Sequence, residues 1–284
     1  MPKLTALNLK DVRIKVPTNG SIYTEWKDDE IPFDCFSGKK TLTSIVFPDV
    51  LKSIGRDAFA DSGLKHSLYI PEGVVEIGYE AFARSDFTGV LTLPSTLKKI
   101  GVYAFEECCF ICPLNLPDGI EEIGSGCFQD CRNLYGKLIL PSHLKKMGSN
   151  AFGGCTGFKG DLVIPKSLTV ISSGAFYACG LGGRLQLHDG ITTIESSAFG
   201  NNGFIGELEL PKSLTELGSA NFHGNNFSGR LKIPKGLTSF SFEAFAYNTF
   251  AGEVEIPEGV TYIEMKAFAE SKNLQKVILP SELR

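Results

Sequence analysis

One phenylalanine recurs along almost the whole chain at steps of 23 or 24 residues, and this spacing constrains the fold more than any other feature. Its eleven copies are Phe36, Phe59, Phe82, Phe105, Phe128, Phe152, Phe176, Phe199, Phe222, Phe245 and Phe268. A proline keeps step with it and is replaced once, by His188. Self-similarity at such a period is the signature of a solenoid, in which each coil packs only on its neighbours. We therefore expect one continuous solenoid rather than separate globular domains.

The averaged repeat reads Pro-x-x-Leu-x-x-Ile-Gly-x-x-Ala-Phe-x-x-(Cys/Asn)-x-Phe-x-Gly-x-Leu-x-Leu, and residues 211–234 show it clearly. The closing Leu-x-Leu alternates with period two, which predicts a strand with alternate side chains buried. Stacked coils would join these strands into a parallel sheet with a spacing of ~4.8 Å. The proline lacks an N–H and would end the ladder. The Gly-x-x-Ala-Phe-x-x-Cys segment predicts a helical or 3₁₀ turn on the outer side.

Ala-Phe-x-x-Cys followed by Leu-x-Leu-Pro or Ile-x-Ile-Pro resembles the BspA-like leucine-rich repeats, which occur in many bacterial surface proteins. The resemblance covers roughly residues 31–284, and the segment from Val12 to Pro17 looks like a degenerate first strand. It implies an α/β fold: a right-handed leucine-rich-repeat solenoid, curved as a horseshoe, with the parallel sheet on its concave face. It also implies adhesion or partner binding, and no chemistry.

The two ends of the chain differ in pattern. Residues 1–34 break the repeat and predict an N-terminal cap with a degenerate first repeat, followed at 35–284 by a solenoid of about eleven repeats. No equivalent cap follows Pro280, so the segment from Lys276 to Leu279 would form an open strand edge that can recruit another strand. This favours either a fragment of a longer surface protein or a homodimer that pairs through the open C-terminal edge.

The eight cysteines fall mostly on repeat positions. Four of them lie three residues after the recurring phenylalanine, where asparagine or serine stands in other repeats; they are Cys108, Cys131, Cys155 and Cys179. This exchange predicts a ladder of small side chains that contact backbone at the turn, with reduced thiols. Cys35 and Cys127 occupy the alanine position, which we expect to be buried. Cys109 and Cys112 remain, and whether they form a disulfide stays open.

No constellation of residues predicts catalysis, a cofactor or a metal site. The four histidines lie at unrelated repeat positions, and Cys108, Cys109 and Cys112 lack the further ligands that a zinc site needs. We therefore expect no enzyme activity. The net charge of −4 offers no basic face, so we expect no nucleic-acid partner. No apolar run approaches ~18 residues, so we expect no direct membrane insertion.

The residues on either side of the first buried strand leucine should face the concave side. In the first half of the chain they predict a mostly uncharged partner-binding patch of Val46, Tyr69, Val90, Thr92, Asn115, Ile139 and Val163. Exposed apolar patches mark partner sites, although β-branched residues also simply suit strands. In the second half the sign alternates from coil to coil, through Glu207 and Glu209 to Arg230 and Lys232, which predicts a self-neutralising ladder.

Together these features predict a non-catalytic binding or adhesion module of a cell-surface or secreted protein, whose leader is absent from this chain. The expected partner is a protein or glycan on another cell or host, bound on the concave face. Two alternatives stay open. One is an architectural spacer within a longer surface protein, and the other is a cytoplasmic scaffold for protein interactions.

Overall fold

The computed structural model describes residues 4–15, 27–281 and 283. Within them the chain forms 21 short β-strands, every strand pair is parallel, and partners lie one coil apart along the sequence. The predicted parallel-sheet solenoid of stacked coils is therefore confirmed. Each coil contributes to two ladders of strands, whereas the sequence pattern predicted only one.

The first ladder lies at or just before the Leu-x-Leu segments. Its strands are β1 (Ala6–Asn8), β3 (Ser44–Val46), β5 (Leu68–Tyr69), β7 (Leu91–Thr92), β11 (Gly160–Val163), β13 (Gly182–Gln186), β15 (Ile205–Gly206), β17 (Asn226–Phe227), β19 (Gly252–Glu255) and β21 (Leu274–Ile278). They pair two by two instead of forming one sheet, and isolated bridges such as Pro113 with Tyr135 join the coils between them. We call this surface the strand face.

The second ladder is formed by a two-residue segment of each coil, which in most coils ends at the isoleucine of the Ile-Gly position in the repeat. Its strands are β2 (Glu30–Ile31), β4 (Ser53–Ile54), β6 (Glu76–Ile77), β8 (Lys99–Ile100), β9 (Glu122–Ile123), β10 (Lys146–Met147), β12 (Val170–Ile171), β14 (Thr193–Ile194), β16 (Glu216–Leu217), β18 (Ser239–Phe240) and β20 (Tyr262–Ile263). The first six form a single six-stranded sheet. A strand of two residues is too short to show a period of two, which is why the sequence pattern did not reveal it.

The prediction of helical or 3₁₀ turns is wrong: the described residues contain no helix. Around Phe59, successive backbone N–H groups donate alternately to the next coil and to their own coil. Phe59 N donates to Ala81 O of the next coil at 2.8 Å, whereas Ala60 N donates to Asp57 O within its own coil at 3.2 Å. Asp57 and Asp61 also have left-handed φ angles of 54° and 55°. A helix needs every N–H to bond within one segment and right-handed φ angles throughout, so this segment folds instead as a row of turns bonded to its neighbour.

The recurring phenylalanines form a continuous stack through the core. Neighbouring rings lie nearly parallel with centroids 5.3–5.8 Å apart, from the Phe36–Phe59 pair to the Phe245–Phe268 pair. The stack spans the coils from residue 36 to residue 268, so each ring between its two ends is stabilised by the coils on both sides of it.

The predicted ladder of small side chains is confirmed. Cys131 Sγ donates to Phe105 O of the preceding coil at 2.9 Å, and Asn225 Nδ2 donates to the equivalent Phe199 O at 3.1 Å. Ser85 Oγ makes the same bond, to Phe59 O at 2.9 Å. All eight cysteines are free, so Cys109 and Cys112 form no disulfide.

The N-terminal segment departs from two expectations. The first strand is Ala6–Asn8, which pairs with Ser44–Val46, and residues 12–15 form no strand. Val16, Pro17 and Trp26 lie outside the described residues. Cys127 is buried as expected, whereas Cys35 is exposed, because no earlier turn of the same kind covers it in the described part of the chain. The domain boundary at residue 34 stays a prediction.

Candidate partner-binding surface

The strand face presents two columns of side chains, one on each side of the buried residue of each coil. Column A is the residue before it and column B the residue after it. Column B contains Val46, Tyr69, Thr92, Asn115, Ile139, Val163, Gln186, Glu209, Lys232 and Glu255, all of which are exposed. The columns arise because neighbouring side chains of a strand point to opposite faces, so each exposed pair flanks a buried leucine or its equivalent.

The structure places all seven predicted patch residues on this face with exposed side chains. Ile139 is 71% exposed and Tyr69 62%, and Tyr69 lies in register with Thr92 across the β5–β7 pair. Val90 belongs to column A and the other six to column B. Their arrangement is less regular than one continuous sheet would give, because β3 pairs with β1 rather than with β5.

Two further apolar side chains enlarge this patch. Ile111 is 57% exposed and Tyr135 is 48% exposed, and each lies three residues before the buried leucine of its coil. That spacing has the same parity as column A, so the period-two pattern could have identified them. The bridge between Pro113 and Tyr135 brings the tyrosine beside column A. We call these nine residues the apolar patch.

The charged half of the strand face has the predicted register but few of the predicted ion pairs. Glu209 lies opposite Lys232, and Glu253 opposite Lys276. Lys276 Nζ approaches Glu253 Oε1 at 3.5 Å. Glu209, Lys232 and Glu255 make no ion pair or side-chain hydrogen bond within the described part of the chain. The self-neutralising ladder therefore forms at only one of its steps.

Open clefts accompany these unpaired charges. A cleft of about 630 Å³ is lined by Arg184, Gln186, Glu207 and Glu209 among others. Another of about 380 Å³ is lined by residues that include Lys232. Volumes of this size suit the side chains of a bound polypeptide or a small ligand.

On and beside the second ladder, some charges are paired across neighbouring coils. Lys99 Nζ lies 3.5 Å from Glu76 Oε1 of the preceding coil, and Lys145 Nζ lies 2.7 Å from Glu121 Oε2. The hydrogen bond from Lys145 holds the pKa of Glu121 below its ordinary value. Neighbouring coils of this chain can therefore bring opposite charges into contact at some steps of this face, although Glu122 and Lys146 lie in register without an ion pair among the described residues.

One arginine joins three coils on the turn surface. Arg84 contacts Asp61 at 3.1 Å, Glu80 at 2.8 Å and Glu106 at 3.0 Å. The hydrogen bond to Glu80, above all, raises the pKa of Arg84. All of its partners are carboxylates of this chain, so the cluster acts as a clamp between coils.

The four histidines lie in different coils of the described chain. The described residues contain no cluster of three or more His, Cys, Asp or Glu side chains able to hold a metal ion. His143 contacts Asp118, His223 contacts Glu243, and His188 lies against the carbonyl of Pro165 in a different coil. Within residues 4–15, 27–281 and 283, no helix is long and apolar enough to cross a membrane.

Comparison with known proteins gives a consistent assignment. The BspA type leucine-rich repeat region matches residues 29–159, 127–252 and 169–284. A leucine-rich repeat protein from Bacteroides ovatus has a similar structure, with a TM-score of 0.63 and 22% identity over 99% of this chain and 82% of its own. A leucine-rich repeat protein from Eubacterium ventriosum gives a TM-score of 0.51 and 19% identity over 89% of this chain and 71% of its own.

At these identities the two structures support the fold alone, and the curated proteins gave no match. The repeat model, by contrast, covers the chain from residue 29 to its end, in agreement with the stacked phenylalanines and the ladder of cysteine, serine and asparagine. The protein therefore belongs to the BspA type leucine-rich repeat family.

Proposed function

We propose that the chain is a non-catalytic binding module that recognises a protein partner through the apolar patch of the strand face. The observation that carries this proposal is the exposure of seven apolar patch side chains, between 48% for Val46 and 71% for Ile139, in neighbouring coils of one face. Leucine-rich repeats generally serve as protein-interaction modules, which supports it.

Strand propensity alone does not account for the patch. Column B positions in the second half of the chain hold Gln186, Glu209, Lys232 and Glu255, and the coils stack there as well. The fold therefore tolerates polar residues at these positions. Leaving Tyr69 and Ile139 in water gains nothing for folding, whereas covering them with a partner removes apolar surface from water.

The setting we propose is a cell-surface or secreted adhesion protein, in which the strand face is the concave side of a right-handed horseshoe. BspA type proteins are typically bacterial surface proteins, which supports this setting. The partner would be a protein on another cell or host, with a surface glycan as the other expected class. Pairing of two copies through β21 stays a prediction.

The test compares a patch variant with a matched control on intact cells. Tyr69→Asp/Ile139→Asp places two charges in the patch. The control Val75→Asp/Val170→Asp places two charges at apolar side chains beside and on the second ladder, which are 44% and 41% exposed. We expect labelled wild type and the control to bind cells saturably, and the patch variant to bind at least tenfold more weakly. Protease treatment of the cells should abolish the binding.

Equal binding by the two variants would contradict the proposed site. Binding that survives protease but not removal of surface glycans would assign a glycan partner instead. An absence of saturable binding by the wild type would favour the spacer interpretation.

A further inference from the structure

We infer that column B selects an α-helical partner segment, with basic, acidic and basic residues facing Glu209, Lys232 and Glu255 in turn. The inference rests on the proposed function, because it names the kind of protein segment that the strand face accepts. It begins from three exposed, alternating charges in neighbouring coils that find no partner in the described chain.

The side chains of column A are already engaged by the following coil. A Cβ atom on Gly229 would lie only 2.8 Å from Glu207 Cγ, so the glutamate side chain lies across that glycine. A Cβ atom on Gly206 would lie 3.8 Å from Arg184 Cγ, an ordinary contact, and Arg230 Nε donates to Glu253 O at 3.2 Å. Glycine in the following coil thus gives column A room to lie along the solenoid. In column B, Glu209, Lys232 and Glu255 make no ion pair or side-chain hydrogen bond within the described residues, so this row is available to a partner.

The coil spacing does not by itself keep opposite charges of neighbouring coils apart. On the second ladder, Lys99 and Glu76 come from neighbouring coils and still approach to 3.5 Å. Glu209 and Lys232 occupy directly opposed positions and do not. Open clefts flank them, as described above. Because Glu209, Lys232 and Glu255 remain unpaired, they are complementary to a ligand that presents a basic, an acidic and a basic group in that order.

The repeat distance of the column indicates what kind of segment can follow it. Stacked coils lie ~4.8 Å apart, and an α-helix repeats one face about every 5.4 Å. Over the two steps from Glu209 to Glu255 a helix drifts by only about 1.2 Å, which long side chains absorb. An extended strand repeats one face every ~6.7 Å and drifts by about 4 Å over the same steps. The spacing therefore favours a helix that lies across the strands.

The same column also defines the other end of the helix. Before the charges come Ile139, Val163 and Gln186 in successive coils. From Ile139 to Glu255 a helix drifts by about 3 Å in total, less than one coil. The expected segment therefore has about six turns, of which the first two are apolar and the last three carry the basic, acidic and basic residues at spacings of three or four.

Two synthetic helical peptides of about 22 residues test this inference. Both have the apolar turns, and one presents Lys, Glu, Lys and the other Glu, Lys, Glu at the charged turns. Charges on the opposite helix face give them equal net charge. We expect the Lys-Glu-Lys peptide to bind at least tenfold more tightly by fluorescence anisotropy at 50 mM NaCl. The preference should shrink at 300 mM, because exposed charges are screened by salt.

The variant Glu209→Lys/Lys232→Glu/Glu255→Lys should reverse the preference, and Lys232→Glu alone should reduce it. Both keep exposed positions exposed, and their thermal unfolding should match the wild type. Equal binding of the two peptides to the wild type, or no binding of either, would overturn the inference. So would an unchanged preference in the triple variant. A matched peptide with a central proline should bind poorly, and equal binding would exclude the helix.

Failure of this inference is separable from failure of the proposed function. Ile139→Ser should weaken both peptides equally and leave their ratio unchanged, because it removes apolar contact and adds no charge. If cell binding depends on the apolar patch while the peptides show no charge preference, the binding site stands and the helical partner does not.

Discussion

Two positions in every coil have left-handed φ angles, two residues before and two residues after the stacked phenylalanine. Around Phe176 they are Gly174 and Ala178, with φ angles of 62° and 53°. Only glycine adopts this region without cost, because Cβ crowds the following carbonyl in other residues. The fold imposes these angles on alanine, glutamate and tyrosine elsewhere, so the bonds between coils must outweigh the local preference.

Replacing Ala178 by glycine should therefore stabilise the protein. We expect about 0.5–1 kcal/mol from relief of the left-handed angle, measured by urea unfolding. The matched control is Gly154→Ala, at the same position of the preceding coil with φ of 76°, where Cβ would meet Asp130 Oδ1. It should lose at least as much stability. A loss of stability in Ala178→Gly would contradict the account of these turns.

The buried thiols should make stability depend on alkaline pH. Burial raises the pKa of Cys108 from 9.0 to about 12, and it raises the pKa values of Cys127, Cys131, Cys155 and Cys179 as well. Above pH 9 the unfolded chain releases these protons while the folded chain keeps them, so stability that is complete below pH 9 is lost as the pH rises towards 12. Each thiol contributes a slope of about 1.4 kcal/mol per pH unit.

Urea unfolding under reducing conditions at pH 8, 9 and 10 measures this slope. Cys155→Asn, which places at this position the residue that later coils use, should remove the contribution of one thiol. An identical pH dependence of the unfolding free energy in wild type and variant would contradict a contribution from the buried Cys155 thiol.

At the scale of the element, most strands of the first ladder were predictable because leucine alternates with exposed residues over four or five positions. The exceptions are β15 and β17, which lie before that alternation, and residues 113–116 and 137–140, where the predicted strands do not form. The two-residue strands of the second ladder show no such alternation, and the turn segment has helical spacing without helical bonding. Hydrogen bonds to the neighbouring coil decide which local structure each of these segments adopts. Phe59 N bonds to Ala81 O, a partner that the local sequence does not reveal.

The candidate surface was also predictable from the sequence only in part. Parity along the strand predicted that Tyr69 and Ile139 are exposed, and the same parity extends to Ile111 and Tyr135. The register of Glu209 with Lys232 was also predictable. That their side chains stay apart was not, because rotamers and the clefts between coils depend on packing in three dimensions.

The turn ladder should tolerate little loss of hydrogen bonding. Asn225 Nδ2 donates to Phe199 O and Phe222 O, and its Oδ1 accepts from the N–H groups of Asn202 and Phe204. Asn225→Ala leaves these buried groups without partners and should cost about 3 kcal/mol of unfolding free energy. Asn225→Cys keeps one such bond and should cost less.

The exposed neighbour supplies the control for this experiment. Asn226→Ala should change the free energy of unfolding by less than about 0.5 kcal/mol, since its side chain is exposed. Equal effects of Asn225→Ala and Asn226→Ala in urea unfolding would show that the ladder does not stabilise the turns.

At the scale of the whole molecule, stability and binding lie on different parts of each coil. The phenylalanine stack and the turn ladder are buried and hold the coils in register. On the second ladder some charges pair across neighbouring coils, as Lys99 and Glu76 do. The strand face has apolar side chains in one half and unpaired charges in the other. A solenoid of this kind can vary that face without disturbing its core.

Because each coil contacts only its neighbours, a destabilising substitution in a central coil should let the two halves of the solenoid unfold separately. Phe152→Ala removes a ring stacked on both sides, at 5.6 Å from Phe128 and 5.8 Å from Phe176. We expect a loss of about 3–5 kcal/mol and a broadened or two-step unfolding curve. Phe36→Ala, at a partly buried ring, should cost less and leave one transition. A single sharp transition in Phe152→Ala would contradict independent halves.

The central claim, that a protein partner lies on the apolar patch, is tested most directly by photo-crosslinking. Benzoylphenylalanine placed at Tyr69 detects a partner on the apolar patch. Placed at Tyr262, which is 50% exposed on the second ladder, it detects a partner on that other face. On intact cells we predict a covalent adduct with a surface protein from position 69 and none from position 262. Adducts from position 262 alone, or from neither position at saturating protein, would contradict the account.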